Sequence, residues 1–325
     1  MTRKKQVGFS LIETMVALAV LFAVGGIVMS GMVQLMKTQG TIANRTDMHT
    51  SVRSATELLQ QEIGQAGRVS LASPTANVTL SAAVLAGAGA TAFTLIASDN
   101  SAVTVYQNEV LTVDLGATQE VVTLASGSGA SGTALFQNPH AAGAPVSVLG
   151  AFATGIVPPA TLCGGAACGS SATVLKLYGD INGDGNMVYV EYTCTPGTAA
   201  APGNLYRNQM SITAGAKAPV TGATGNTMIL LNNVLTNPPD PSNNPVPCFT
   251  YQIQALGAGT CVTDVAVTLT VQTQNKDPQT GQFQQETKAL LNVSPRNVVE
   301  VYDTASLTDP LRAQPMPDSV TALLP

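Results

Sequence analysis

Residues 8–36 read GFSLIETMVALAVLFAVGGIVMSGMVQLM, and this stretch decides how the rest of the chain is placed. No side chain from Thr14 to Met36 is charged. As a helix that run rises roughly 35 Å, enough to cross the ~30 Å hydrocarbon core of a bilayer. The segment before it, MTRKKQVG, carries Arg3, Lys4 and Lys5. Basic residues flanking an apolar span stay in the cytoplasm, so the remainder of the chain is expected on the far side. A secretory signal peptide would have a shorter apolar core followed by a small-x-small cleavage site. A plain signal anchor accounts for everything but Glu13. A carboxylate at the start of an apolar run is costly, and such groups are retained for function.

Composition agrees with an exported chain. Of 325 residues only 10% are charged and 4% aromatic, with no Trp, while 45% are hydrophobic. That suits a secreted β-rich domain with a real core rather than a disordered chain. The formal charge is -5; without the first eight residues Lys plus Arg falls from 14 to 11 against 19 acids, leaving -8. General nucleic-acid binding is not expected of so acidic a chain, because that affinity comes mostly from Lys and Arg on phosphates.

The helix is expected to continue past the apolar run, since no proline occurs before Pro74. Val52, Ala55, Leu59, Ile63 and Ala66 recur at helical spacing, with Arg53, Glu57, Gln60 and Gln61 elsewhere. This predicts an amphipathic second half over 37–68 whose stripe packs on a sheet, stopped at Gly67. Gly25, Gly26 and Gly31 mark either close helix packing or local unwinding.

From residue 75 the sequence reads as strands and loops. Candidate strands are 76–85, 92–97, 102–106, 109–115, 119–125, 145–149, 172–178, 187–194, 228–235, 248–255, 262–273 and 284–293. VTDVAVTLTVQTQ and QQETKALLNV, joined by NKDPQTG, form the clearest hairpin. NPPDPSNNPVP at 237–247 is an exposed loop. SGSGASG at 126–132 is a flexible loop and not a nucleotide site, because no helix follows. The segment 298–325 is polar, rich in proline, and expected to be a loosely attached tail.

Five cysteines lie at 163, 168, 194, 248 and 261. In an exported protein they read as disulfides. Short loops close easily, which favours Cys163–Cys168 and Cys248–Cys261. Residues 180–191 match D-x-[DN]-x-[DN]-G-x5-E in full, with Asp180, Asn182, Asp184 and Glu191 as oxygen donors for calcium. The flanks read as strands, so a hairpin turn is the competing reading. Calcium is the one cofactor the sequence suggests. Enzymatic function is not expected: G-x-S-x-G is absent, and His49 and His140, the two histidines, read as solvated surface residues.

The run Gly8-Phe9-Ser10-Leu11-Ile12-Glu13, after basic residues and before an apolar stretch, resembles the processing motif of type IV prepilins and type II secretion pseudopilins. The resemblance implies cleavage between Gly8 and Phe9 by a membrane prepilin peptidase, which also methylates Phe9. It implies that Glu13 pairs with the N-terminal amine of a neighbouring subunit. It further implies an α+β fold, the pilin lollipop: a long N-terminal helix, membrane-spanning in its first half, packed on an antiparallel β-rich head. The expected divisions are a leader at 1–8, transmembrane helix at 9–36, amphipathic helix at 37–68, head at 69–297 and tail at 298–325. ELLQQEIGQAGR closing the helix, the strand–DINGDG–strand unit at 174–193 and the ending Pro295-Arg296-Asn297 are similar to the large PilW-like minor pilins. Such subunits help initiate a pilus together with other minor and major pilins. They wait in the inner membrane with the head in the periplasm before joining an extracellular filament. The alternatives are a minor pseudopilin of type II secretion, in a periplasmic pseudopilus, and a tip adhesin.

Overall fold

The computed structural model describes residues 10–217, 227–257, 259–307 and 309–325. Helix α1 (Leu11–Gln65) runs without a break through Gly25, Gly26 and Gly31. Two sheets follow. The first holds β1 (Val78–Leu80), β2 (Thr91–Ala97), β3 (Val110–Val113), β4 (Glu120–Ser128), β5 (Ser131–Ala134) and β6 (Val146–Val148), in the order β1-β2-β5-β4-β3-β6. Short pieces β7 (Ala151–Phe152), β8 (Leu162–Cys163) and β9 (Ala166–Ala167) lead to the second. It contains β10 (Val174–Gly179), β11 (Val188–Thr195), β12 (Gly203–Ser211), β13 (Thr227–Leu235), β14 (Phe249–Leu256), β15 (Gly259–Gln272) and β16 (Gln285–Val293). The order is β10-β11-β12-β13-β15-β14, with β16 also on β15. Both main sheets pair antiparallel. The fold is therefore α+β. The chain ends in α2 (Arg296–Leu307), β17 (Ala313–Gln314) and α3 (Asp318–Leu323).

By contacts the chain divides into two units, one with residues up to Thr50 plus Gln272–Gln285, the other with Ser51–Val271 and Glu286–Pro325. In the second, Val52, Ala55, Leu59, Ile63 and Ala66 are all buried, while Arg53, Glu57, Gln60 and Gln61 are exposed. The expected stripe is thus the one that packs. At its end Gly67 adopts φ +84 and donates to the Tyr178 carbonyl at 2.9 Å. A Cβ there would meet the Phe152 oxygen at 2.8 Å, so only glycine lets the chain turn this close to the sheet.

Polar groups lock the helix down. Glu62, next to the stripe, is 4% exposed. Its carboxylate accepts from Arg207 Nε at 3.0 and 3.2 Å, from Arg207 Nη2 and from the Tyr192 hydroxyl. Arg207 lies on β12, a strand absent from the sequence expectation. Its alternation is hidden by two register shifts and by Arg207 and Asn208 at half-buried and buried positions.

Three further expectations need correction. Residues 126–132 are not a flexible loop but the tight β4–β5 hairpin, with Ser126 and Thr133 hydroxyls bonded across it at 2.7 Å. The segment 298–325 is not loose. Val298, Val301, Val320, Leu323 and Leu324 are buried, β17 pairs parallel with β7, and buried Lys176 donates to the Leu324 carbonyl. Its apolar residues are spaced for two short helices, which the prolines obscured. His140 is not solvated: it is 2% exposed, with Nδ1 3.1 Å from Asp114 and Nε2 2.7 Å from Glu120. Burial pushes its pKa down, but the bonds and charges of both carboxylates outweigh that, and it stands raised.

Glu109 gives the fold a pH dependence. It is fully buried, and burial pushes its carboxyl up to about 8, against a single bond from the Tyr106 amide. A raised carboxyl contributes stability that is complete below the unfolded value near 4.5 and is lost as pH rises through about 8. Melting temperature should fall across that window in the wild type. Glu109→Gln should flatten the fall, and thermal melts from pH 4 to 9 check it.

Candidate functional site: the apolar helix and its amino end

The candidate site is the first half of α1. Every residue from Ser10 to Lys37 is exposed, with Leu11 at 78% and both Phe22 and Ile27 at 74%. No face of this half is polar, so the exposed ring demands an apolar surround. Among the described residues this is the one helix long and apolar enough to cross a membrane.

Gly8 and Phe9, the expected cleavage pair, lie outside the described residues. Glu13 is described. Its Oε2 accepts from the Ser10 amide at 3.0 Å, while Ser10 Oγ accepts from the Ile12 amide at 3.4 Å. The arrangement is a capping box, and it places the carboxylate beside amides that would otherwise lack partners. It also holds a negative charge at the positive end of the helix dipole. S-x-x-E was legible at 10–13, although the sequence reading gave Glu13 a role between subunits alone.

The 180–191 loop keeps its residues but not their convergence. Asp180 is fully buried; it accepts from Ser70 Oγ at 2.7 Å and the Asp184 amide at 3.0 Å, with Arg68 Nε 3.6 Å away. Asp184 accepts from the Asn186 amide, and Asn182 and Asp184 are exposed. Glu191 is corrected outright. It sits inside β11 opposite Lys176 and Asn208, bonded to the Tyr189 hydroxyl at 2.6 Å and Lys217 Nζ at 2.7 Å. Four residues of strand carry it away from the turn. Among the described residues no three His, Cys, Asp or Glu side chains converge as a metal site. Gly185, at φ +87, instead lets the turn lie against the Ala72 carbonyl, where a Cβ would come within 2.2 Å. The loop clasps the chain leaving α1. Asp180→Ala should cost roughly 2–3 kcal/mol by removing the acceptor shared by the Ser70 hydroxyl and the Asp184 amide, whereas Asp184→Ala and added calcium should leave the melting curve unmoved. A calcium-dependent rise in the midpoint would contradict this.

The disulfides are Cys163–Cys168 and Cys194–Cys248, with Cys261 a buried free thiol. The expected Cys248–Cys261 bond is therefore wrong. Cys248 immediately precedes β14 and Cys261 lies on β15, but the register of that hairpin sets Phe249 against Val267 and Gln254 against Cys261. Cys248 and Cys261 thus sit at opposite ends of the ladder, separated by roughly 20 Å of strand. Cys194 ends near Cys248 because β11 and β14 meet through the segment before β10, where the Cys194 amide bonds Thr173 and the Phe249 amide bonds Ala172.

A long N-terminal apolar helix with an antiparallel β-rich head is a general pilin-like architecture. Compared with family profiles, curated proteins and solved structures, the chain matches none.

Proposed function

We propose that this chain is a minor type IV pilin: a non-catalytic subunit that enters the inner membrane through α1, is cut between Gly8 and Phe9, and helps start filament assembly at or near the tip. The observation that carries this reading is the half-helix from Ser10 to Lys37, apolar and exposed on every side, with Glu13 as its sole acid. Such a segment suits two environments in turn, a bilayer and then a bundle of similar helices. Within the bundle Glu13 would exchange its own chain's amide for the amine of a neighbour, since a buried charge is tolerable when paired. Two disulfides fit a head that folds in the oxidising periplasm.

The test is the composition of purified filaments from cells expressing wild-type or Glu13→Val protein. Wild-type chain should be present at low stoichiometry, and the variant should insert in the membrane yet be depleted from filaments. Finding the chain as the main filament component, or finding the variant incorporated normally, would overturn the proposal.

A further inference from the structure

The connection between β15 and β16, residues 273–284, belongs to the same unit as the first part of α1. It is held to α1 by named bonds. Thr41 Oγ1 donates to Asp277, Gln279 Nε2 donates to Thr38 Oγ1 at 3.0 Å, and Arg45 Nε donates to Gln284 Oε1 at 2.6 Å. Pro278 lies over Gly40, where a Cβ would stand 3.0 Å from its ring. Thr38 comes two residues after Met36 and Arg45 nine, so these attachments span roughly 3–14 Å of helix beyond the apolar run. The headgroup layer of one leaflet is roughly 5–8 Å thick. The tip, at the level of Thr38 and Gly40, therefore falls within that layer, and the base at Arg45 falls just outside it.

Within the headgroup span the exposed charges are Lys37 and Lys276, while Arg45 and Asp47, of opposite sign, are exposed beyond it. Asp277, the acid of the connection, is 3% exposed and turned inward. The Thr41 hydroxyl, the Gln279 amide and the Thr280 and Gln284 side chains all donate to it and hold its carboxyl down to about 2. Phe283 stacks under Lys276, whose Nζ is 5.7 Å from the ring centre. Exposed lysines, beside an acid whose carboxylate is turned inward and occupied by its own donors, match a layer of phosphate groups.

We propose that the tip of this connection, residues 276–282, rests on the phospholipid headgroups of the leaflet from which α1 emerges. It would set how deeply the helix sits before assembly. The inference depends on α1 spanning the membrane, and the experiment separates the two claims. The chain has no Trp, so Gln282→Trp, at an exposed tip position outside the bonds to α1, and Leu21→Trp each give a lone Trp. Full-length variants are reconstituted in vesicles of phosphatidylcholine and phosphatidylglycerol carrying a quencher either on the headgroup or at mid-acyl chain. Trp fluorescence at position 282 should be quenched by the headgroup probe and not by the mid-chain probe, and at position 21 the reverse. Quenching at 21 with none at 282, where soluble iodide quenches instead, would overturn the headgroup contact and leave the membrane span standing. No mid-chain quenching at 21 would overturn the span and the contact with it.

Discussion

Alanine at Glu62 should lower the stability of the β-rich unit by about 3–5 kcal/mol, the usual cost of removing one partner from a buried ion pair. The carboxylate is the meeting point of the Arg207 guanidinium and the Tyr192 hydroxyl, and Tyr192 is fully buried. Without it Arg207 keeps Gln209 at 2.6 Å, but the face of its guanidinium toward α1 has no acceptor. Glu57→Ala should leave the melting point nearly unchanged, although Glu57 binds Arg53 at 2.6 Å, because both side chains are open to water. Replacing both buried partners, as in Glu62→Leu with Arg207→Met, should recover much of the loss. Denaturant melts of the three variants decide the matter. Equal effects of Glu62→Ala and Glu57→Ala would show that the clamp adds nothing.

Removing Cys194–Cys248 should cost about 4 kcal/mol, and removing Cys163–Cys168 about 2, by the loop-closure entropy each withholds from the unfolded chain. The first closes a separation of 54 residues and the second only 5. Cys194 and Cys248 are also both buried, so the bond ties the end of β11 to the start of β14 within the core. Paired Cys→Ala variants, compared by melting with and without reductant, read the difference. Peptide mapping without reduction should recover a fragment joining residues 194 and 248. A fragment joining 248 and 261 would contradict the assigned connectivity.

These pairs show what was legible in the sequence. The helix was, because an uncharged run and a stripe at Val52, Ala55, Leu59, Ile63 and Ala66 are local signals that state their own period. The β15–β16 hairpin was legible by alternation through Val265, Val267, Leu269 and Val271, all four of them buried. Partners distant in sequence were not legible. Nothing near Glu62 announces Arg207, 145 residues away. Chain separation suggested Cys261 for Cys248, but strand register decides which residues meet. His140 looked solvated because its carboxylates, Asp114 and Glu120, come from the ends of a different hairpin. At the candidate site, Glu13 and the apolar run were legible, whereas the support from residues 273–284 came only with the fold.

The most direct test of the central claim is the N-terminus of the chain recovered from membranes of cells with a prepilin peptidase, read by mass spectrometry. The account predicts a single mature start at Phe9 carrying a methylated amine. An unprocessed chain beginning at Met1, or a start at any residue other than Phe9, would contradict it.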